Sequence, residues 1–297
     1  MVEVFRPAEL DELLAFRGRH RATILAGGTD LMVRHRKGAG IPPSLGTRVE
    51  GPVLCIDRCD ELKIIQATKD FLDIGAGASM AAIIEHPDVD TSLKEILLQI
   101  GAPGLRNVAT IGGNICNASP AADTLPFLYA FDAVMHLRST HGERRVPVDQ
   151  FVTGPGKTAL GDDEILVSIR VPRWSPTVRC LRKVGTRRAN ALTKVSFSGF
   201  ADVLAGKVSR IALASGAVAP TVIRFRRAES RCVGADRAQL LSIASDLVDL
   251  CEESIQPIDD QRSTAIYRRR VAGNLIRGFI ECDLAAALAG SQTGSSK

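Results

Sequence analysis

The sequence predicts a globular protein of two domains that mixes helices and strands, on three observations. The chain has 297 residues, and at roughly 150 residues per domain that length points to two. Hydrophobic residues make up 45% and charged residues 24%, the balance of a chain that buries a core, which excludes disorder, collagen-like repeats and small disulfide scaffolds. Along the chain, apolar spacing switches between a helical period of about 3.6 and a strand period of about 2.

Taken in order, Leu10, Leu13 and Leu14 stand at i, i+3 and i+4 and predict a first helix over 7–14, followed by a short buried strand at 22–26. Pro42, Pro43, Gly46 and Gly51 mark loop. Residues 73–77 read as a strand running into a glycine turn, and 92–98 as a helix opening on a capping residue. From about Phe131 the period changes, and Ile165, Val167, Ile169 and Val171 alternate as in a strand. Pro172, Ser175 and Pro176 then break the pattern and set the predicted domain boundary. Strands at 195–204 and 208–218 follow, joined by the hairpin-like turn Ala205-Gly206-Lys207. The end is helical: Leu240, Leu241, Ala244, Leu247, Val248 and Cys251 line a helix over 237–255, and Tyr267, Val271, Leu275 and Phe279 line another beyond Pro257. The predicted domains are 1–174, with a further division into 1–55 and 56–174 left open, and 175–290. Residues 291–297 form a frayed tail.

Seven cysteines, at 55, 59, 116, 180, 232, 251 and 282, form no C-x-x-C pair, as in a chain with reduced thiols. Neither they nor the five histidines have ligand spacing, so no metal site is predicted. No run approaches the roughly 20 apolar residues that span a bilayer, and the first residues lack a signal-peptide pattern; a cytoplasmic chain without membrane contact is expected. The net charge of +5 is spread over short runs (34–37, 144–145, 187–188, 226–227 and 268–270) and aromatic residues are only 4%. Stacking platforms are scarce and the basic residues form no concentrated stripe, so nucleic acid is not an expected partner.

Two glycine pairs carry the chemistry. Ile24-Leu25-Ala26-Gly27-Gly28-Thr29-Asp30-Leu31 reads as a strand, a turn and a helix start with Thr29 or Asp30 as cap, an arrangement in which backbone N–H groups can converge on a phosphate. The segment from Arg106 to Asp123 holds a second pair, Gly112-Gly113, amid hydroxyl, amide and carboxylate side chains. Each alone is commonplace as a tight turn; two together suit a diphosphate. Gly154-Pro155-Gly156-Lys157-Thr158 ends like a P-loop, but the first glycine of that motif would fall at Phe151, and Pro155 argues against a dinucleotide-binding glycine turn, so 154–158 reads as loop.

Together these segments resemble the FAD-binding subunits, or middle domains, of molybdenum hydroxylases such as xanthine dehydrogenase and carbon monoxide dehydrogenase. The resemblance covers nearly the whole chain. It rests on Ala26-Gly27-Gly28-Thr29-Asp30-Leu31, on Thr110-Ile111-Gly112-Gly113-Asn114 with Asn117-Ala118-Ser119-Pro120 and Asp123, and on 154–158, with echoes at 218–221 and 267–269. It implies an α+β, two-domain FAD-binding fold of the vanillyl-alcohol oxidase type with a C-terminal sheet-plus-helices domain, and FAD between the domains. By motif matching, residues Ile24, Leu25, Ala26, Gly27, Gly28, Thr29, Asp30 and Leu31 would wrap the diphosphate. Thr110, Gly113, Asn114 and Asn117 would contact the diphosphate or ribityl chain, and Asp123 the adenosine side. Gly101 matches where the family's chain passes the flavin, while Leu166 and Lys183 match contacts to the adenine or flavin rings. The family's R-x-x-D-I-A-like segment is here Arg187-Arg188-Ala189-Asn190-Ala191-Leu192-Thr193, without its acid, which leaves the electron acceptor open.

The resemblance further implies an oxidoreductase subunit with no catalytic side chain of its own. Its partners would be a molybdopterin-binding large subunit and a small subunit with [2Fe–2S] clusters, in a hetero-oligomer. Electrons would pass from the clusters through FAD to an acceptor such as NAD, with purine (xanthine) oxidation mildly favoured. Two other readings stay open on the residues alone: a stand-alone FAD-dependent reductase of the same superfold, and a non-catalytic interaction subunit whose glycine loops are structural.

Overall fold

The structure is a computed structural model that describes residues 3–35, 49, 51–187 and 190–290. The expected loop at Pro42, Pro43 and Gly46, part of the basic runs (Arg36, Lys37 and Arg188) and the 291–297 tail lie outside the described residues. The chain forms two compact units: Met1–Val89 with Gly101–Ala118 and Ala133–Arg173, and Asp90–Ile100 with Ser119–Asp132 and Trp174–Lys297.

In the first unit a small parallel sheet is ordered Val4–Phe5, Val53–Cys55, Thr23–Leu25. Its middle strand is apolar and buried throughout, as a parallel strand covered on both faces should be. The helix Leu10–Arg19 brings Leu10, Leu13, Leu14 and Phe16 onto Leu54, Ile56 and Leu62, so the leucine spacing meets the core, although the helix begins after Pro7 and Ala8 and runs further than expected. A larger antiparallel sheet is ordered Ile65–Ala67, Phe71–Gly75, Ile165–Pro172, Val134–Ser139, Gly142–Pro147. A bulge between Leu166 and Ser168 interrupts its central strand and shifts the alternation, so that Leu166, rather than Val167, shares the buried face of Ile169 and Val171. Residues 154–158 are not a plain loop. They close a short hairpin, Val152–Gly154 against Lys157–Thr158, because Gly156 supplies a φ of 68° after Pro155, the pairing a type II turn takes.

The second unit is built on the antiparallel sheet Val178–Val184, Val195–Leu204, Lys207–Gly216, Ile223–Arg224. Ala205 and Gly206, with φ of 50° and 72°, make the tight hairpin turn expected there. One face of the sheet packs Val195, Phe197, Ile211 and Leu213 on Leu247, Ala272, Ile276 and Phe279 of the C-terminal helices. The other carries Phe200, which meets Phe127, Phe131 and Trp174 edge-on or tilted. Phe127 and Phe131 come from the helix Thr124–Ala130 and its C-cap, and that helix is buried on every side. Trp174 donates to Asp202 Oδ2 at 2.6 Å and lies 3.9 Å under the Arg210 guanidinium.

Two helical expectations need correction. The span 237–255 is two helices, Arg237–Ser242 and Ala244–Glu252, broken at Ile243, whose φ of −105° and ψ of 4° leave the helical region. In Ala265–Gly278 the fully buried face is Arg268, Ala272, Gly273 and Ile276; of the expected stripe Phe279 is buried and Val271 and Leu275 are half-buried against the core, but Tyr267 is exposed. A buried arginine is the reason. Arg268 donates to Ala217 O at 2.9 Å and to Asp260 Oδ1 at 2.7 Å, partners that satisfy a charge which would otherwise face water.

Asp260 makes this contact pH-sensitive. Burial works to raise its carboxyl, but the N–H groups of Arg262 and Ser263 and the Arg268 guanidinium outweigh it and hold it below the usual carboxylate range. A depressed folded-state value gives stability that is present above the unfolded value near 3.8 and is lost as pH falls through the folded one. Thermal melts between pH 6 and pH 3 should therefore fall more steeply for the parent than for Asp260→Asn; parallel curves would refute the assignment.

Of the seven cysteines five are buried, Cys116 is half-buried and Cys282 is exposed. Burial pushes the thiols of Cys116, Cys180, Cys232 and Cys251 up to about 12. At pH 8 iodoacetamide is expected to alkylate Cys282 first, and mass spectrometry that found Cys232 modified earlier would contradict this burial.

Candidate cofactor site

In the first unit the chain leaves the strand Thr23–Leu25, turns through Ala26-Gly27-Gly28 and enters the short helix Leu31–Arg34. Gly28 holds a left-handed φ of 67°, which glycine adopts without strain. Asp30 occupies the N-cap position, yet its side chain makes no capping bond; the turn is closed by Met32 N–H donating to Gly28 O at 2.9 Å. Gly27 is required by packing. A Cβ there would fall 1.8 Å from the Val108 carbonyl oxygen, so the first glycine loop lies directly on the backbone that leads into the second.

That second segment is held on two sides. Met80 N–H bonds to Ala109 O at 2.9 Å, Ile111 N–H to Ala78 O at 3.2 Å and Gly112 N–H to Ala76 O at 2.9 Å, which makes 109–112 run beside 76–80. Thr110 then caps the helix Ile111–Cys116, its hydroxyl accepting from Gly113 N–H at 3.1 Å. The helix is amphipathic in miniature. Ile111, Gly112 and Ile115 are buried, whereas Gly113 is exposed and Asn114 and Asn117 are half-buried on the opposite, polar face. A Cβ on Gly113 would stand 3.9 Å from that of Ala26, so this polar face adjoins the first glycine loop.

The second unit brings together Asp123 and Lys183, far apart in sequence. Lys183 Nζ donates to Asp123 Oδ2 at 2.7 Å and to Gln99 O at 2.9 Å, with both side chains 13% exposed. The Thr193 hydroxyl donates to the other oxygen, Oδ1. Asp123 stands just ahead of the helix Thr124–Ala130, and Lys183 lies near the end of the edge strand Val178–Val184, in register with Ser196. The Ser196 hydroxyl is buried without a protein partner. It lines, with Gln99, Asp123 and Lys183, a cavity of about 20 Å³, room for a single water.

Gly101 turns the chain at a φ of 54°, with its carbonyl accepting from Arg106 Nη1 at 2.9 Å. Leu166 is 4% exposed in the central strand of the first unit. Asn190 has a φ of 50°, a conformation asparagine tolerates better than most residues, and Arg187 donates to its carbonyl through Nε and Nη2. Sequence reasoning missed Gln99 and Thr193, which complete the Asp123–Lys183 network, and Val108, which fixes the first loop. A lone hydroxyl and two backbone carbonyls leave no pattern in a sequence.

Comparison with known proteins gives this arrangement a family. A model of the FAD binding domain in molybdopterin dehydrogenase matches residues 1–174, and one of the CO dehydrogenase flavoprotein C-terminal domain matches 181–282. The xanthine dehydrogenase FAD-binding subunit of Escherichia coli is 30% identical over 281 residues, 90% of each chain. The carbon monoxide dehydrogenase medium chain of Hydrogenophaga pseudoflava is 30% identical over 288 residues, 93% of this chain and 94% of that one. A solved carbon monoxide dehydrogenase from Hydrogenophaga pseudoflava aligns with a TM-score of 0.83 at 28% identity, covering 97% of both chains, which bears out the α+β FAD-binding fold. Among the described residues, no helix is long and apolar enough to cross a membrane. The chain belongs to the FAD-binding subunits of the molybdenum hydroxylase family: it is an oxidoreductase flavoprotein, and its cofactor is FAD.

Proposed function

We propose that this chain, divided at residue 174 into an FAD-binding part and a C-terminal part over 175–290, is the electron-transfer subunit of a cytoplasmic hetero-oligomer. Its partners are a molybdopterin-binding large subunit, in which the organic substrate is oxidised, and a small subunit carrying [2Fe–2S] clusters. When bound, FAD supplies the redox centre that takes electrons from the iron–sulfur partner and delivers them to an acceptor such as NAD. Purine is mildly favoured as that substrate. The relatives just named act, by their names, on xanthine in one case and carbon monoxide in the other, at equal identity.

The observation that carries the reading is the packing of Gly27 on Val108, which joins the two glycine segments into one surface beside the polar face of the Ile111–Cys116 helix. Its donor set fits a diphosphate. The Thr110 hydroxyl, which accepts from Gly113 N–H, keeps its own proton to donate, the amides of Asn114 and Asn117 add side-chain donors, and residues 24–31 add backbone N–H groups at a helix start. In this reading Asp123 takes the adenosine side, Gly101 borders the flavin, and Leu166 and Lys183 contact the rings. These residues bind and orient the cofactor; none gives or takes a proton.

The test is co-purification from the native source, with metal analysis and a visible spectrum. Molybdenum and iron travelling with two further chains, and flavin with this one, is the expected result. A chain that purifies alone and reduces a small substrate with a nicotinamide donor would instead mark a stand-alone reductase.

A further inference from the structure

Thr193 has no role in the reading above, yet it is among the most buried polar residues of its unit, 3% exposed. Its hydroxyl donates to Asp123 Oδ1, while Oδ2 of the same carboxylate accepts from Lys183. A carboxylate held by one oxygen can still turn about its Cβ–Cγ bond. Held by both, it has a fixed plane. Lys183 is similarly constrained, because Asp123 and Gln99 O take two of its three ammonium protons. The third is left with one direction in which to point.

We propose that Thr193 is a positioning residue for the cofactor contacts: by fixing the Asp123 carboxylate plane it holds the Lys183 ammonium in the one orientation that offers its remaining proton to FAD. Thr193 does not touch the cofactor; it acts through Asp123. The inference rests on the proposed assignment of Asp123 and Lys183 to the FAD site. Valine nearly matches threonine in shape and lacks the donor, whereas serine keeps it.

The experiment titrates FAD into the apo form of the full chain, followed by flavin fluorescence, for Thr193→Val, Thr193→Ser, Asp123→Ala and Asp123→Ala/Thr193→Val, with an apo melt of each as a check on folding. Thr193→Val is expected to weaken FAD binding about tenfold, the loss of one hydrogen bond to a charged group, and Thr193→Ser to restore binding to within about twofold. In the Asp123→Ala background, where no acceptor remains for the Thr193 hydroxyl, Thr193→Val should add less than about twofold, since a residue acting through Asp123 has nothing left to position. If Thr193→Val does not fold, Thr193→Cys, a weak donor of similar size, takes its place in the cycle. Unchanged binding in Thr193→Val, or an equal loss in both backgrounds, would overturn the inference. Lys183→Met separates the two levels: if it binds FAD as the parent does, the site assignment itself falls; if it weakens binding and Thr193→Val does not, only the role of Thr193 falls.

Discussion

Gly27→Ala is expected to lower stability by about 3 kcal/mol, the upper end for overpacking, and to remove FAD at the same time. The added methyl would sit 1.8 Å from the Val108 carbonyl oxygen and 2.6 Å from its carbon, and a backbone peptide cannot step aside as a side-chain tip can. The space that a side chain at Gly27 would take is filled by the Val108 backbone. Flavin loss in Gly27→Val therefore follows first from separation of the two glycine segments. Gly113→Ala is the more informative companion, because its added carbon meets only the Thr110 hydroxyl within 3 Å, at 2.9 Å. Urea melts with flavin content measured on the same samples check both: Gly27→Ala should lose stability and flavin together, and a Gly27→Ala protein as stable as the parent would refute the packing.

Glu229→Ala is expected to cost about 3–5 kcal/mol, the usual cost of removing one partner of a buried ion pair. Glu229 accepts from Arg224 Nε and from Leu213 N–H, the latter at 2.7 Å, and both charged side chains are 9% exposed. Without the carboxylate the buried guanidinium keeps only the exposed Asp132 as a charge partner, at 3.6 Å, and a strand N–H is left unsatisfied. The consequence reaches the candidate site, because Arg224 Nη1 also donates to Tyr129 O near the C-terminal end of the helix Thr124–Ala130, and Asp123 stands at the other end of that helix. Affinity for FAD should fall with stability. The double substitution Glu229→Leu/Arg224→Met, which removes both charges, should recover most of the loss in urea melts; if it is no better than Glu229→Ala, the cost lies elsewhere.

What could be read from the sequence was local. The Ala205-Gly206 hairpin, the leucine stripe of Leu10–Arg19 and the strand Ile165–Pro172 follow from turn chemistry and period, which neighbouring residues determine between themselves. The helix Thr124–Ala130 could not be found that way. Its sequence Thr-Leu-Pro-Phe-Leu-Tyr-Ala is buried all round, so it has no polar face to create a period. The stripe on Ala265–Gly278 missed the fully buried face because a charged side chain, Arg268, belongs to that face and is satisfied by Asp260 and Ala217 from elsewhere in the chain. The glycine pairs were legible as motifs, but their contact through Val108, and the link from Asp123 to Lys183 and Thr193 across 60 and 70 residues of sequence, depend on long-range folding that spacing does not encode. Likewise residues 90–100 and 119–132 belong to the second unit although they precede most of it in the chain.

The most direct test of the central claim is the visible spectrum and cofactor content of this chain purified without partners. The account predicts flavin absorption, about one FAD per chain on reconstitution, and neither iron nor molybdenum. A folded chain that stays colourless in excess FAD, or one that carries iron itself, would contradict it.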